Sequence, residues 1–458
     1  MSLSTATSKT YPAKQHLVRT AKNLGVSSGV IFVRGSDKIL HPDSDTEYEF
    51  HQDSNFYYLS GVVEPGYAAA YDIATDTAIL FVSHVSSDEA VWIGVPPSLD
   101  KQRAAYGFDQ AHFTKDICSV IAALSPSKIF MLPHHQAQEL ETLPIDQEKL
   151  IEAVHEARVF KDDFELEVMR RANRISGSAH ETLMREAQLG MNEAELRGRF
   201  VGLVLSQGCN YEAYVSIVAR GRNAAILHYI KNNMALDSAE NIVLVDAGGS
   251  LQCYVSDITR TWPLGAQFSP ECRAIYAIVL EMQKTVIEAC APNKQWMDMH
   301  LLANRVAAQR LIELGILKGS LDDIMEKHVV GFFMPHGIGH LIGIDTHDVG
   351  GYPRGTERVN VPGLRYLRAN REMLPRMVFT VEPGLYFVDV ILADAKNDPA
   401  IAMHIDFDIV AKYRYVGGVR IEDSIVITET GYENLTTCVK EIADIEAIRA
   451  KASQNREI

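Results

Sequence analysis

The chain has 458 residues, of which 47% are hydrophobic and 22% charged, and its formal net charge at pH 7 is −15. This length favours two domains over one, and the composition is that of an ordinary globular protein. The acidic balance argues against nucleic acid or an anionic membrane as a partner. No apolar run reaches the roughly 18 residues that a membrane span requires. The excess carboxylates could serve as ligands for hard cations, although most of them are expected to form only a soluble surface.

The cysteines and the first residues of the chain favour a folded cytoplasmic protein. Six cysteines are spread along the chain without a C-x-x-C pair, a pattern typical of reduced, buried thiols. No acidic residue precedes Asp37, as in a mitochondrial transit peptide, but arginine is sparse there. The helical spacing of Leu17, Ala21 and Leu24 instead predicts a folded first helix.

The first third of the chain contains short apolar runs without a recognisable chemical motif. Four of these runs predict strands, at Val30–Val33, Ala78–Val82, Ala90–Val95 and Lys128–Leu132. No nucleophile motif, phosphate-binding loop or ligand cluster stands among them. His51, His134 and His135 are expected to be surface or structural residues. We therefore expect this part of the chain to shape a cleft or an oligomer contact.

Near residues 155–163 the pattern changes to long helices that alternate with strands. Capping residues and apolar residues at helical spacing predict four helices, which begin after Asp162, after Asn192, at Pro270 and near Asp298. Strands are predicted at Ile242–Ala247, Cys253–Thr261, Met377–Glu382 and Gly418–Thr428. Helices gathered on an antiparallel sheet predict an α+β domain.

Two aspartates stand on neighbouring predicted strands. Asp246 ends an apolar run, and Gly248 with Gly249 allows the chain to turn back towards Asp257. If the turn centres near residues 250–252, the two carboxylates lie almost abreast, within the ~5 Å of a cross-strand pair. At that separation they repel, and one pKa rises strongly unless a cation lies between them. A metal site accounts for the pair, and turn-capping aspartates are the alternative.

Three histidines follow within twelve residues, at His336, His340 and His347. The His-x-x-x-His spacing suggests a zinc-binding helix, but Gly337 and Gly339 disfavour a helix. We predict a glycine-rich loop that delivers imidazoles into a cleft. Loop histidines bonded to backbone groups are the alternative, which becomes weaker because three of them occur together.

Further acidic residues complete a possible ligand set. Glu382 ends an apolar strand, and the period of two places Arg420 and Glu422 on one face of another. A plain ion pair between Arg420 and Glu422 is the alternative. Four carboxylates and at least one imidazole form the ligand set of a two-metal hydrolase, with ions about 3.5–4 Å apart. Oxygen and nitrogen ligands without thiolate suit Mn, Co, Fe or Zn, of which Mn is the hardest.

Four C-terminal segments resemble the pita-bread-fold metallopeptidases and, within them, the Xaa-Pro dipeptidases (prolidases). These segments are VDAGGSLQCYVSDITRTWP, HGIGHLIGIDTHDVGGYP, VFTVEPGLYF and GGVRIEDSIVIT. FHQDSNFYYLSGVVEPGY resembles the N-terminal domain of that family, and YFVDVILADAKNDPA resembles a prolidase insertion. The resemblance implies an α/β (α+β) protein with a creatinase-like N-terminal domain at residues 10–156 and a pita-bread catalytic domain at residues 160–445. It also implies a homodimer.

The resemblance implies a set of five ligands for two divalent metal ions, with Mn²⁺ expected. Asp246 would hold one ion, and His340 with Glu382 would hold the other. Asp257 and Glu422 would bridge both ions. Glu382 would also carry the proton of the attacking water.

The resemblance further assigns residues that act on a small peptide substrate. His228 would steady the scissile carbonyl, His347 would face the substrate, and Arg420 would support the site. Arg368 would bind the free carboxylate of a dipeptide's proline through its planar guanidinium. A solvated surface arginine, in a basic stretch with Arg365 and Arg371, is the alternative. His336 would lie just outside the ligands.

The implied reaction is hydrolysis of Xaa-Pro dipeptides to an amino acid and proline. Two alternatives remain: an aminopeptidase P that takes longer Xaa-Pro peptides, and a catalytically silent homologue that only binds peptides. The retained ligand types count against the silent homologue. One departure from the family is Arg376, where glycine is usual, and a turn that needs positive φ would be strained there.

Overall fold

The computed structural model describes residues 10–135, 137–238 and 240–454. The chain divides into two compact units, one of which ends at Phe160 while the other begins at Lys161. Among the helices of the described residues, none is long and apolar enough to cross a membrane.

The N-terminal unit is built on a six-stranded mixed sheet in the order β4-β3-β2-β1-β5-β6. Its helices are α1 (Ala13–Leu24), α2 (Ser54–Ser60), α3 (Ser87–Ile93), α4 (Leu99–Tyr106), α5 (Ile117–Ala123) and α6 (Leu150–Val159). Its strands are β1 (Val30–Arg34), β2 (Ala68–Asp72), β3 (Thr77–Val82), β4 (Gln110–Phe113), β5 (Ile129–Phe130) and β6 (Ile145–Asp146). The central strands β1, β2 and β3 are antiparallel, and the three outer pairings are parallel.

The first helix and three of the four strands predicted for this unit are confirmed, and the fourth predicted strand is wrong. The predicted first helix is α1, which buries Leu17 and ends at Gly25 in the left-handed conformation. The predicted strand Ala90–Val95 is instead largely the helix α3. Ser86 and Glu89 form a capping box that starts this helix, and the apolar residues after it are exposed rather than buried in a sheet.

The histidines of the N-terminal unit are less isolated than their sequence positions indicate. His134 Nε2 lies 3.2 Å from Asp53 Oδ2, and His135 is buried with Nδ1 accepting from the backbone N–H of Arg34. Ligand atoms of Asp53, His134 and His135 lie within 4.8 Å of one another. The expectation of no clustered ligand atoms in this unit is therefore wrong, because Asp53 lies 81 positions before His134 and only the fold brings them together.

The C-terminal unit packs long helices on small antiparallel sheets. Its helices are α7 (Asp163–Glu186), α8 (Glu193–Ser206), α9 (Pro270–Ala289), α10 (Trp296–Glu313), α11 (Leu321–Glu326), α12 (Asp389–Asn397), α13 (Pro399–Ala402), α14 (Phe407–Tyr413) and α15 (Ile442–Gln454). Its strands are β7 (Tyr211–Glu212), β8 (Ile217–Arg220), β9 (Ile242–Asp246), β10 (Gly249–Leu251), β11 (Tyr254–Val255), β12 (Thr259–Pro263), β13 (Val378–Val381), β14 (Gly384–Tyr386), β15 (Gly418–Arg420), β16 (Asp423–Ile427) and β17 (Tyr432–Asn434).

The sheets of this unit have the orders β11-β10-β7, β12-β9-β8, β13-β16-β17 and β14-β15. Their pairings are antiparallel, which confirms the α+β prediction. The four predicted helices are confirmed as α7, α8, α9 and α10. Capping boxes start α7 and α8, and a proline stands in the first turn of α9.

Two predicted strands are each broken in two, and both breaks matter for the site. Cys253–Thr261 divides into β11 and β12, and Gly418–Thr428 divides into β15 and β16. Asp257 and Glu422 lie in the interruptions, where the backbone leaves one sheet and enters another. Neither break contains a glycine or proline that would mark the end of a strand in the sequence.

The strain expected at Arg376 is present. This residue has φ +73°, in the left-handed region that favours glycine. Its backbone N–H donates to the carbonyl of Ile427, and its own carbonyl accepts from the N–H of Lys161. Its guanidinium reaches the carbonyl of Lys161 and Asp163 Oδ1. These four hydrogen bonds hold the unfavourable conformation in place.

Candidate active site

The first two carboxylates come from the hairpin that contains β9 to β12. Asp246, the last residue of β9, pairs with Thr259, and Ser250 pairs with Val255. The turn residues Gln252 and Cys253 have φ of +48° and +61°. The prediction that Asp246 and Asp257 lie abreast is therefore wrong. The turn centres one residue later than assumed, and such a displacement moves the cross-strand partner by two residues.

The two aspartates nevertheless meet at one hydroxyl group. Tyr214 Oη lies 2.6 Å from Asp246 Oδ1 and also contacts Asp257 Oδ1. Gly248 lies between the two pairings, where a Cβ atom would be only 1.8 Å from the carbonyl oxygen of Ser256. Glycine is required there because the two segments of the hairpin approach each other too closely for a side chain. Diagonal neighbours on one face of a sheet are within reach of a shared partner.

The third element of the site is the segment that carries His340. It is a loop, which confirms the prediction that no helix forms there. Gly339 packs against β13 so closely that a Cβ atom would lie 1.9 Å from the carbonyl oxygen of Thr380. The backbone N–H of Glu382 donates to the carbonyl of Ile338 over 2.8 Å. The loop is thus fixed beside the strand that ends at Glu382.

The imidazole of His340 is oriented by its backbone contact. Nδ1 lies 3.0 Å from the carbonyl oxygen of Leu341 and donates to it, so Nε2 is the nitrogen that can offer a lone pair to a cation. Without a cation, the hydrogen bond to Asp257 and the charges of Glu382 and Asp257 outweigh burial and raise the pKa of His340. Nε2 lies 3.4 Å from Asp257 Oδ2 and 3.4 Å from Glu382 Oε1. A nitrogen lone pair that faces two carboxylates is the arrangement expected around a shared cation.

The side chains of Arg420 and Glu422 are both hydrogen-bonded to the hydroxyl of Thr259. Thr259 Oγ1 donates to Glu422 Oε2 over 2.7 Å and accepts from Arg420 Nε over 3.0 Å. Arg420 also forms an ion pair with Asp246 and donates to Tyr386 Oη. The other carboxylate oxygen of Glu422, Oε1, is buried and has no hydrogen-bond partner among the described residues.

The buried carboxylates are electrostatically unbalanced. Burial raises the pKa of Asp246 above its usual value, raises that of Glu382 to about 7 and raises that of Glu422 strongly. Burial acts in the same direction on Asp257, but hydrogen bonding and the charge of His340 hold its pKa below the usual value. Four buried acidic groups in one cavity cannot all be ionised without strong repulsion unless positive charge is bound between them.

The donor set fits divalent metal ions. Ligand atoms of Asp257, His340 and Glu422 lie within 4.8 Å of one another. The unpartnered Glu422 Oε1 is a buried oxygen that a cation would satisfy. Carboxylate oxygens and one imidazole, without thiolate, suit hard or borderline metals.

One cavity of about 400 Å³ collects all ten residues assigned from the sequence. Its walls include Asp246, Asp257, His340, Glu382, Glu422, His228, His347, Arg368 and Arg420, together with His336. The ring of His347 lies edge-on to that of His340, with centroids 4.5 Å apart. His336 Nε2 lies 3.0 Å from Tyr386 Oη, and burial lowers the His336 pKa to about 3.

Sequence reasoning missed three polar residues of the site, Tyr214, Thr259 and Tyr386. Each one contacts a carboxylate or Arg420. Thr259 belongs to the same motif as Asp257, and its position two residues further along the chain was the available signal. Tyr214 lies 32 and 43 residues from the two aspartates that it contacts, and nothing in its local sequence marks it.

Comparison with known families gives two matches to this chain. Residues 167–429 match the model of metallopeptidase family M24. Residues 13–130 match the N-terminal domain of aminopeptidase P.

Relatives of the whole chain carry a consistent name. A probable Xaa-Pro aminopeptidase (pepP) of Botryotinia fuckeliana is 39% identical over 445 residues, covering 96% of each chain. A probable Xaa-Pro aminopeptidase (PEPP) of Coccidioides posadasii is 40% identical over 455 residues, covering 96% of this chain and 97% of the relative.

Solved structures agree with this similarity. Aminopeptidase PepP of Pseudomonas aeruginosa superposes with a TM-score of 0.82 at 29% identity, covering 97% of this chain and 99% of that chain. Aminopeptidase P from E. coli with the inhibitor Pro-Leu gives 0.83 at 29% identity, covering 97% and 100%. The expected family and fold are thereby confirmed: the chain belongs to metallopeptidase family M24, with an aminopeptidase P type N-terminal domain.

Proposed function

We propose that this protein is a metal-dependent aminopeptidase that hydrolyses the bond between an N-terminal residue and a following proline. The observation that carries the proposal is the convergence of four carboxylates and His340 on one cavity, with Glu422 Oε1 buried and unpartnered among the described residues. Relatives about 40% identical along the whole chain are named Xaa-Pro aminopeptidases, which supports the substrate class.

In this proposal five residues, Asp246, Asp257, His340, Glu382 and Glu422, would hold two divalent ions. The chemistry that two such ions supply is polarisation of the scissile carbonyl and acidification of a water molecule. We expect Mn²⁺, because the donor set consists mainly of carboxylate oxygens.

The remaining residues orient the substrate and handle the proton. Glu382 accepts the proton of the attacking water and passes it to the proline nitrogen. His228, on the cavity wall, donates to the carbonyl oxygen as charge develops there. Arg420 fixes the orientation of Asp246 through their ion pair. His347 faces the substrate from the loop beyond His340.

A dipeptidase is the second candidate, and Arg368 is the observation that favours it. Its side chain lines the same cavity, where a guanidinium could bind the carboxylate of a dipeptide's proline. This arginine is exposed, so solvent also satisfies its charge. The names of the relatives favour the aminopeptidase over the dipeptidase.

We also propose that the protein is a cytoplasmic homodimer. All six cysteines are free thiols, which supports a reducing compartment. The apolar side chains of Val91, Trp92 and Val95 are 78%, 86% and 85% exposed, which supports a surface that a second copy of the chain could cover.

The test compares Ala-Pro-Ala with Ala-Pro after reconstitution of the metal-free protein with Mn²⁺. We expect kcat/KM for the tripeptide to equal or exceed that for the dipeptide. Elemental analysis should give two ions per chain. A strong preference for Ala-Pro would favour the dipeptidase, and full activity in the chelated, metal-free protein would contradict both candidates.

A further inference from the structure

The loop that carries His347 has no regular secondary structure of its own. Residues 342–350 follow His340 without a helix or strand. The His347 side chain lines the cavity and is exposed to solvent, so contacts of its ring with neighbouring side chains do not fix its position by themselves. Its position relative to His340 must therefore be set by the backbone of this loop.

Next to His347 stands a buried ion pair. Asp348 Oδ2 lies 3.1 Å from Lys161 Nζ, and each of the two side chains is only 1% exposed. The backbone N–H of Asp348 donates to the carbonyl of Leu341 over 2.8 Å. The end of the loop is thus fixed to its beginning, directly after the proposed ligand His340.

The ion pair also packs on the start of the loop. A Cβ atom on Gly343 would lie 2.3 Å from Asp348 Oδ2 and 3.0 Å from Lys161 Nζ. The carbonyl of Gly343 accepts from the N–H of Val255, in β11 of the hairpin that carries the two aspartates. Lys161 therefore contacts the loop at the point where it meets that hairpin.

Lys161 is itself fixed to the strand that leads to Glu382. Its N–H donates to the carbonyl of Arg376 over 2.9 Å, and its carbonyl accepts from Arg376 Nη1 over 3.2 Å. Arg376 stands just before β13, whose last residue precedes Glu382. One lysine thus connects the His347 loop with the Glu382 strand.

We propose that Lys161, through its buried ion pair with Asp348, is the positioning residue that holds His347 in its place facing the substrate. This inference rests on the proposed function, because it assumes that His347 contacts a peptide. The Lys161–Asp348 pair is made by side-chain atoms, whereas the backbone N–H of Asp348 and Nδ1 of His340 share the carbonyl oxygen of Leu341. Removal of the lysine charge should therefore displace His347 while this backbone contact beside His340 is kept.

The test is a double-mutant cycle between Lys161→Met and His347→Ala, both in the Mn²⁺-loaded protein. Methionine is unbranched and only one atom shorter than lysine, and it removes the charge. A misplaced substrate contact costs on the order of tenfold to a hundredfold in kcat/KM, so Lys161→Met should lower kcat/KM for Ala-Pro-Ala by that amount. In the His347→Ala background the same change should lower it by less than about twofold, because coupled residues are not additive.

Two further measurements separate positioning from general damage. Metal content should stay at that of the unmodified protein, and the Kd for Pro-Leu, measured by calorimetry, should follow the same cycle as kcat/KM. Lys318→Met, which removes a surface ion pair with Asp406, is the matched control and should change neither quantity. If Lys161→Met does not fold, Asp348→Asn decides the question in the same cycle, because it removes the negative charge of the ion pair while an amide of the same size fills its place.

The outcomes distinguish this inference from the proposed function. Equal losses for Lys161→Met in both backgrounds, with an active unmodified protein, would overturn the positioning role alone. Loss of bound metal in Lys161→Met would also overturn it. An unmodified, Mn²⁺-loaded protein that cleaves no Xaa-Pro peptide would overturn the proposed function and this inference together.

Discussion

Glu422 and His228 both line the cavity, but they should fail in different ways. Glu422→Ala removes a proposed metal ligand, so we expect metal content and activity to fall together. His228→Ala should keep its metal and lower kcat by on the order of a hundredfold, because a donor that stabilises transition-state charge is worth about 3 kcal/mol. Elemental analysis and steady-state kinetics on both variants measure the difference.

The control for this pair is His51→Ala, which removes an exposed imidazole of the N-terminal unit and should change neither quantity. If metal content fell with activity in His228→Ala, that histidine would be a ligand and its proposed role would be wrong.

Arg368 tests how the site recognises the far end of its substrate. Its positive charge on the cavity wall should attract the carboxylate of Ala-Pro more strongly than that of Ala-Pro-Ala, which lies one residue further away. We therefore expect Arg368→Ala to raise KM for the dipeptide by a larger factor than for the tripeptide. Arg365→Ala is the matched control, since Arg365 is exposed and does not belong to the residues that line this cavity. Equal factors for both substrates would show that Arg368 does not read substrate length.

At the scale of single elements, the His340 loop depends on the absence of a side chain at Gly339. A Cβ atom there would lie 1.9 Å from the carbonyl oxygen of Thr380, so Gly339→Ala must push the loop away from β13. We expect lower metal affinity and a loss of at least tenfold in kcat/KM, as for other displaced site residues.

Gly198→Ala is the matched control for this change. Gly198 lies within α8, and a Cβ atom there would meet nothing within 4 Å. Alanine in place of glycine inside a helix stabilises by up to about 1 kcal/mol, so thermal unfolding should shift slightly upward without a change in kinetics. An unchanged metal affinity in Gly339→Ala would contradict the proposed tight contact.

Helix α7 packs against β10 and β11, in the hairpin that carries Asp246 and Asp257. It contains a histidine that should make the stability of the protein depend on pH. His180 is fully buried, its Nε2 donates to the carbonyl of Ala247 over 2.9 Å, and burial lowers its pKa to about 3. Between that value and the ordinary value of about 6.5, the unfolded chain binds a proton that the folded chain does not. Stability should therefore decrease as pH falls through this window.

The measurement compares the unmodified protein with His180→Gln, which keeps an N–H donor but does not titrate. Lowering the pH from 6.5 to 5 should remove about 1.6 kcal/mol from the stability of the unmodified protein relative to the variant. Urea unfolding at several pH values gives the two curves. Parallel curves would mean that His180 is protonated in the folded protein as readily as in the unfolded chain.

At the scale of the whole molecule, metal binding should stabilise the fold. The four carboxylates of the site repel one another when no cation is present, and a ligand that binds only the folded state adds about 4 kcal/mol at a thousand times its Kd. We expect chelation to lower Tm by several degrees and Mn²⁺ to restore it, as measured by calorimetry. Asp257→Asn should show a smaller shift. Identical unfolding curves with and without Mn²⁺ would contradict a metal site built from these residues.

The local parts of the fold and the residues that line the candidate site could be predicted from the sequence. Capping boxes at Asp162 and Asn192 start α7 and α8, because a cap involves only residues within one helical turn. Polar residues at the ends of apolar strands identified Asp246 and Glu382, because a buried carboxylate without a partner is too costly to occur by chance. The glycines of the His340 loop also excluded a helix there.

Only the tertiary structure decided the features that depend on contacts between distant segments. The register of Asp246 against Thr259 depends on where one turn centres, and the breaks beside Asp257 and Glu422 depend on how separate sheets meet. The contacts made by Tyr214 and the Lys161–Asp348 pair join residues 32 to 187 positions apart. Chain order carries no distance information over such separations, so these contacts follow from packing alone.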